Sequence, residues 1–257
     1  MSVTIRVFDP AMCCSTGVRV GKTSVAVGFA VELAHRGHRV HLTTTDPAAH
    51  VQETLGGPVE GLRVSRIDPV AETRAYSDEV MRIAGAQLDD SGRVLLAEDL
   101  RSPCTEEIAV FQAFARVVDE GESGFVVIDT APTGHTLLLL DATEAYHREV
   151  SRTKGNVPEA VRALLPRLRD PEATRMLLVT LPEATPVHEA AHLQADLGRA
   201  GIRPFAWVVN RCLTQCLTPL AVTDPVLVQR RAHEARYLRE VQSLSTRMVL
   251  IPWSADR

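Results

Sequence analysis

The chain has 257 residues, of which 45% are hydrophobic and 23% are charged, a composition that builds a large core in a single globular domain over residues 1–257. Its net charge of −4 argues against nucleic acid as a partner, because proteins that bind a phosphate backbone carry clustered positive charge. No apolar run reaches the roughly 18 residues of a membrane span, no secretory signal is recognisable, and the odd number of cysteines suits reduced thiols, so we expect a cytoplasmic protein.

Short runs rich in β-branched residues alternate along the chain with longer apolar patterns of helical spacing. Strands are predicted over residues 3–8, 40–45, 62–67, 125–129, 175–181, 204–209 and 248–251. Helices are predicted over residues 23–35, 72–87, 105–120, 158–168, 186–200 and 225–241. Because parallel strands joined by crossover helices produce this alternation, the sequence predicts an α/β fold with a doubly wound, mostly parallel sheet that binds ligands at the carboxyl ends of its strands.

Two segments are less regular. Residues 88–103 and 144–158 are rich in Gly, Ser and charged residues, and we expect surface connections there. They fall within the parts of the chain, about 70–120 and 144–170, that are candidates for a helical subdomain beside the sheet.

An incomplete phosphate-binding motif precedes the first predicted helix. Gly21, Lys22, Thr23 and Ser24 match the end of the G-x-x-x-x-G-K-[ST] template, in which backbone N–H groups and the lysine contact phosphate and the hydroxyl binds Mg²⁺. Thr16 stands where the template has its first glycine. The alternative is an ordinary helix start capped by Thr23. We favour nucleotide binding, because the motif follows a strand and opens an amphipathic helix.

Two aspartates lie where predicted strands end. Asp46 lies at the same sheet edge as Lys22, where a carboxylate orients an attacking or Mg²⁺-bound water; the alternative is an N-cap before Pro47. Asp129 follows four apolar residues, a setting in which an ionised carboxylate is costly without a cation, and Mg²⁺ would satisfy it. Its alternative is a helix cap. With Lys22 present, we favour the functional interpretation of both aspartates.

The last two predicted strands are followed by Asn210 and Pro252. Both positions suit contact with a purine base at the sheet edge, and turn formation is the alternative. Between them, Cys212 and Cys216 have a spacing without the second pair of ligands that a zinc site needs, so we favour a polar loop near the nucleotide.

Longer segments resemble one family. The segments are LTTTDPAAH (42–50), VSRIDP (64–69), EDLRSPCTEEIAVFQAF (98–114), FVVIDTAPTGHTLLLLDATEAYHREV (125–150) and LLVTLPEATPVHEAAHLQADL (177–197). They resemble the second of the two homologous halves of the arsenical pump-driving ATPases, a family of anion-transporting ATPases with a deviant phosphate loop, and the likeness covers roughly residues 21–252.

The resemblance implies a P-loop NTPase fold, ATP and Mg²⁺ as cofactors, and a role for each matching residue. Lys22 would bind phosphate and Thr23 would bind Mg²⁺. Asp46 would be the catalytic aspartate of the first switch, and Asp129 the metal-side aspartate of the second. Asn210 and Pro252 would border the adenine.

The same resemblance implies a metalloid site. Cys104 matches the family's thiolate ligand for As(III) or Sb(III), and Ser102 and His135 match weaker ligands. A soft, thiophilic centre prefers thiolate and then imidazole, so this ligand set is chemically sensible. A complete site would take ligands from a facing copy or a second homologous half. Without the resemblance, Cys104 would read as a buried small hydrophobic residue at a helix start.

The first 20 residues resemble a different family, the arsenic metallochaperones. The likeness lies in VFDPAMCCSTGV (7–18), in which Cys13 and Cys14 are an additional, weaker thiol pair for a metalloid ion. Arg19 stands where that family has a third cysteine, and Gly17 stands where the ATPases carry an extra signature lysine.

The leading functional prediction is ATP hydrolysis that drives arsenite or antimonite efflux, in the cytoplasmic subunit of a membrane pump. As(III) or Sb(III) would be an activating ligand. The partners would be a second copy or homologous half, the pump at the inner membrane, and the metallochaperone. The alternative is a hydrolysis-poor metalloid carrier on a degraded ATPase scaffold. Targeting of tail-anchored membrane proteins ranks last, because only five methionines are present for an apolar groove.

Overall fold

The computed structural model describes residues 4–8, 20–46, 50–130, 159–216 and 224–253. Its centre is a sheet whose strands are β1 (Thr4–Phe8), β2 (Val40–Thr44), β3 (Leu62–Arg66), β4 (Phe125–Asp129), β5 (Thr174–Thr180), β6 (Ala206–Cys212) and β7 (Met248–Pro252). They lie in the order β3-β2-β4-β1-β5-β6-β7, and every neighbouring pair is parallel. The parallel α/β sheet is therefore confirmed, with all the predicted strands present.

Helices cover both faces of this sheet. In the described residues they are α1 (Lys22–His35), α2 (Val51–Leu55), α3 (Pro69–Ile83), α4 (Asp90–Asp99), α5 (Pro103–Asp119), α6 (Glu159–Arg169), α7 (Ala184–Arg199), α8 (Leu213–Cys216) and α9 (Pro225–Leu244). The chain steps from central β1 to β2 and β3 on one side and later to β5, β6 and β7 on the other. This reversal makes the fold doubly wound and places a topological switch point beside β1.

Two apolar cores lie on opposite faces of the sheet. On one face α1 and α2 pack on Leu42 and Val127. On the other face α5, α6, α7 and α9 pack on Ile128 and Leu178, with Phe114 of α5 almost fully buried. Because β4 is covered on both faces, it reads as a continuous apolar run rather than an alternating one. Its only ionisable residue, Asp129, is consequently held in the interior.

The prediction of an irregular connection over residues 88–103 was wrong. Helix α4 occupies most of that segment, and Gly92 lies in its first turn, where its N–H donates to Asp89 Oδ1 at 2.7 Å. The Gly and Ser that suggested a loop are thus part of a capped helix start. Neither α3 nor α4 has a buried residue, and whether this region is a separate subdomain stays a prediction. The expectation for residues 144–158 falls outside the described residues.

Two further differences concern β6 and the short helices. Strand β6 extends to Cys212, so Asn210 lies inside a strand rather than after it. Helices α2 and α8 were not predicted, because each is shorter than two turns and has no periodic pattern to detect. No helix in the described part of the chain is long and apolar enough to cross a bilayer.

Candidate nucleotide site

The N-terminus of α1 lies at the carboxyl edge of the central strands. Gly21 is the N-cap residue and has a left-handed backbone with φ of +80°. A Cβ at this position would lie 2.5 Å from Nδ2 of Asn210, too close for any side chain. Glycine is therefore required at position 21 by the backbone conformation and by the lack of space.

No described side chain caps the start of α1, and its first turn contains no acidic residue. The N–H groups at the start of a helix have no partner within the helix, and the helix dipole adds a partial positive charge there. The predicted alternative, a cap by Thr23, was wrong, because Thr23 lies within the helix and its hydroxyl donates to a carboxylate instead. The N–H groups of Lys22, Thr23 and Ser24, which no described side chain caps, suit a bound anion.

The Lys22 side chain turns back toward the end of β4. It is only 5% exposed, and its Nζ donates to the backbone carbonyl of Thr130. The ammonium also lies close enough to Asp129 to act on the pKa of that carboxyl group. A buried cation at a helix N-terminus reinforces the positive potential there, which again favours a negatively charged ligand.

Asp129 is fully buried, and its two carboxylate oxygens differ. Oδ2 accepts hydrogen bonds from the hydroxyls of Thr23 at 2.8 Å and Thr44 at 3.4 Å. Oδ1 has no hydrogen-bond partner among the described residues. Burial raises the pKa of Asp129, Lys22 and the Thr23 hydroxyl oppose that rise, and the nearby charge of Asp46 adds to it. An ionised carboxylate in this position is therefore only partly compensated by Lys22, and a further cation would stabilise it.

Asp46 is the second carboxylate of the site. Its backbone N–H donates to the Thr44 hydroxyl at 3.0 Å, and that hydroxyl in turn donates to Asp129. The next described helix, α2, has His50 as its N-cap, so Asp46 does not cap it. The predicted alternative, a helix that begins at Pro47 with Asp46 as its N-cap, falls outside the described residues. The alternative for Asp129, a cap for the helix after Pro132, falls outside the described residues.

The oxygens of Thr23, Asp46 and Asp129 match the ligand preference of Mg²⁺ for hydroxyl and carboxylate oxygens. Asp129 Oδ1 is the strongest sign of a cation, because it has no hydrogen-bond partner among the described residues and such a buried carboxylate oxygen is rare in a native fold. The residues present thus fit Mg²⁺, and Lys22 with the start of α1 fits the phosphates that Mg²⁺ accompanies.

Comparison with known proteins agrees with this geometry. The family model described as anion-transporting ATPase matches residues 15–164. The chain belongs to the anion-transporting ATPase family. It is 53% identical over 234 residues to an arsenical pump-driving ATPase of Acidiphilium multivorum, and 53% identical over 237 residues to one of Escherichia coli, covering 91% of this chain and 39% of each relative. A putative arsenical pump-driving ATPase of Halobacterium salinarum is 31% identical over 259 residues.

The chain spans about two fifths of the length of these curated relatives. This agrees with the resemblance to one of two homologous halves. Membership of the anion-transporting ATPase family also confirms the predicted P-loop NTPase fold class.

The two residues expected to border adenine lie near the carboxyl ends of β6 and β7. Asn210 Nδ2 donates to the Val20 carbonyl at 2.9 Å, and its Oδ1 accepts from the Arg211 N–H at 2.9 Å. Pro252 is exposed at the end of β7 and pairs in register with Cys212. The amide of Asn210 thus contacts the turn before Gly21, and contact of Asn210 and Pro252 with a base stays a prediction.

The structure describes part of the metalloid site that the family resemblance implies. Cys104 is exposed in the first turn of α5, so the alternative of a buried residue was wrong. Ser102 is the N-cap residue of α5, and its hydroxyl shares a hydrogen bond with the Thr105 hydroxyl at 3.2 Å. His135, Cys13 and Cys14 fall outside the described residues, so the ligand set stays a prediction.

A zinc site at Cys212 and Cys216 finds no support. Cys212 is fully buried, and its thiol contacts the Val209 carbonyl at 3.2 Å. The side chain of Cys216 falls outside the described residues. Within the described part of the chain, no three His, Cys, Asp or Glu residues are placed to hold a metal ion together.

Sequence reasoning missed the contribution of two threonines. Thr44 links Asp129 with the backbone of Asp46, and Thr130 supplies the carbonyl that holds Lys22. The run of threonines at 43–45 before Asp46 was the available signal. Threonine is mostly exposed in folded proteins, so three hydroxyls in a row at the end of a buried strand indicate polar contacts there.

Proposed function

We propose that this chain binds MgATP and hydrolyses it to drive arsenite or antimonite efflux, as the ATPase subunit of a membrane pump. The observation that carries the proposal is the Asp129 carboxylate. It is buried beside Lys22 and held by Thr23, and one of its oxygens lacks a partner among the described residues. The names of the relatives, which are arsenical pump-driving ATPases at 53% identity, support the substrate class.

Each residue of the site has a distinct task in this proposal. The N–H groups at Gly21, Lys22 and Thr23 donate hydrogen bonds to the β-phosphate, and the Lys22 ammonium neutralises charge on the β- and γ-phosphates. The Thr23 hydroxyl and the Asp129 and Asp46 carboxylates would hold Mg²⁺, and the ion would supply positive charge beside the phosphate oxygens. Asp46 also orients the attacking water, because it is the carboxylate that follows the neighbouring strand β2.

The proposal includes a paired assembly. The chain covers 39% of its Acidiphilium and Escherichia relatives, so we infer that it works as a homodimer or with a second homologous half, with ATP at their interface. As(III) or Sb(III) bound at Cys104, Ser102 and His135 favours the closed pairing and so activates hydrolysis. Cys13 and Cys14 are an additional, weaker thiol pair for the metalloid, and an arsenic metallochaperone is a further partner. The subunit is cytoplasmic and associates with the inner membrane through the pump.

ATP turnover by the purified chain, with and without antimonite, tests the proposal. We expect turnover that requires Mg²⁺ and rises with antimonite, and we expect Lys22→Met to abolish it. Arg36→Met is the matched control, because it removes one positive charge from the exposed far end of the same helix. Equal turnover in the Lys22→Met variant and the wild-type chain would contradict the assignment. Antimonite binding without turnover would favour the metalloid carrier.

A separate substitution tests the metalloid site. Cys104→Ser removes the exposed thiolate, and hydroxyl is a poor ligand for a soft centre, so the ratio of turnover with antimonite to turnover without it should fall to one. An unchanged ratio would show that antimonite acts elsewhere.

A further inference from the structure

The Asn210 side chain connects β6 with the phosphate-binding turn. It is 8% exposed, and its Nδ2 donates to the carbonyl of Val20, a fully buried residue directly before Gly21. The same nitrogen lies 2.5 Å from the position that a Cβ on Gly21 would occupy. Asn210 therefore contacts the turn through a hydrogen bond and through close packing, across 190 positions of sequence.

The backbone that carries Asn210 is held on its far side as well. Arg211 has a left-handed backbone with φ of +57°, which a residue with a side chain rarely adopts, and the register of β6 against β7 is irregular between Val209 and Cys212. Glu234 of α9, which is 3% exposed, accepts hydrogen bonds from the N–H groups of Leu213 at 3.0 Å and Thr214 at 3.3 Å. A strained backbone persists only where surrounding contacts fix it.

We propose that Asn210 is a positioning residue for the phosphates of the nucleotide. Its amide fixes the Val20 carbonyl and with it the left-handed turn at Gly21, which sets the direction of the N–H groups at the start of α1. The inference rests on the proposed binding of MgATP and deepens it, because the sequence led only to a contact between Asn210 and the base.

The two roles make different demands on the same amide. Rotation of the Asn210 amide toward a base would leave the buried Val20 carbonyl and the Arg211 N–H without their partners. A positioning residue keeps both bonds and acts on the phosphate chain whether or not a base is attached. Inorganic tripolyphosphate, which has the phosphate chain and no base, therefore separates the two roles.

The experiment measures binding of magnesium tripolyphosphate and of MgATP by calorimetry. Asn210→Leu is close in shape, neutral, and unable to donate or accept a hydrogen bond. We expect this substitution to lower the affinity for each ligand about tenfold, which is the effect of losing one buried hydrogen bond. The matched control is Gln194→Leu, which removes an amide that likewise donates to a carbonyl, that of Leu244 at 3.0 Å, and accepts from Trp207 Nε1 at 2.6 Å. The control should lower the melting temperature and keep wild-type affinity for tripolyphosphate.

The outcomes separate this inference from the proposed function. Weaker binding of ATP with unchanged binding of tripolyphosphate in Asn210→Leu would overturn the inference and leave a base contact. A wild-type chain that binds neither ligand would refute the proposed function and the inference with it.

A second measurement covers the case in which Asn210→Leu does not fold. Asn210→Ala removes the same two hydrogen bonds with a smaller side chain, and it should weaken the binding of magnesium tripolyphosphate and of MgATP alike. A loss confined to MgATP would leave a base contact and overturn the inference.

Discussion

Replacing Asp129 with asparagine should stabilise the ligand-free protein and abolish its response to Mg²⁺. Asp129 is fully buried, and its Oδ1 has no partner among the described residues. The pKa of its carboxyl group is raised mainly by burial, although Lys22 opposes the rise. A raised pKa means that the neighbours taken together, Lys22 included, favour the neutral form over the charged one. Asparagine is a neutral side chain of the same shape.

The size of the gain follows from the unpaired oxygen. A buried polar group without a partner costs about 1–3 kcal/mol, and asparagine keeps an acceptor for Thr23 while it removes the charge. The new amide N–H is itself unpaired, so we expect a net gain of about 1 kcal/mol. For a chain of this length, 1 kcal/mol corresponds to a rise of about 2–4 °C in melting temperature.

The gain depends on pH in a direction fixed by the raised pKa. In the unfolded chain an aspartate ionises near pH 4, whereas Asp129 in the folded protein stays protonated to a higher pH. The folded wild-type protein therefore loses stability as the pH rises from about 4 through the raised pKa. The advantage of Asp129→Asn should be absent below pH 4, grow through that interval, and then level off.

Thermal unfolding in EDTA and in MgATP measures both effects. The wild-type melting temperature should rise with MgATP more than with ATP in EDTA, whereas that of Asp129→Asn should be the same in both. A lower melting temperature for the variant in EDTA at neutral pH would refute the view that this carboxylate is a burden in the ligand-free fold. A retained response to Mg²⁺ would refute its assignment as a metal ligand.

Two other substitutions test separate parts of the structure. Thr23→Val keeps the shape of the side chain but removes the hydroxyl that donates a hydrogen bond to Asp129. We expect the affinity for MgATP to fall about tenfold, and the difference in affinity between MgATP and ATP in EDTA to become smaller. Calorimetry at matched ATP concentrations measures this, and an unchanged difference would exclude Thr23 as a Mg²⁺ ligand. Asp68→Ala removes the N-cap of α3, whose Oδ1 accepts from Val70 at 3.0 Å, and should cost about 1 kcal/mol in urea unfolding with no change in ATP affinity. A loss below the error of the measurement would show that the start of α3 frays in the native state.

Local pattern was sufficient to predict the strands and the start of α1. The apolar run of β4 ending in Asp129 identified both a buried strand and a carboxylate at its end, and Gly21-Lys22 identified the start of α1. Such features depend on residues that are neighbours in sequence, so composition and spacing carry the information.

The contacts that complete the site depend on pairings across the sheet, which no local pattern encodes. Thr44 reaches Asp129 because β2 and β4 pair with these two residues in register. Asn210 reaches Val20 because β6 follows β5 on the same side of β1 and runs three residues further than its apolar pattern suggests. Helix α4 was missed for a local reason, since Gly92 in a first turn resembles a loop unless its capping partner is known.

The ligand-free site has opposite deficits at two adjacent points. The start of α1 has N–H groups without a described side-chain cap, which favour an anion, and Asp129 has an oxygen without a described partner, which favours a cation. A phosphate chain alone would approach the Asp129 and Asp46 carboxylates, and a cation alone would lie near the Lys22 ammonium. Each ion therefore offsets the repulsion that the other meets. The geometry therefore favours binding of a phosphate chain together with its divalent cation over binding of either one alone. An ATPase that acts on MgATP requires this selectivity.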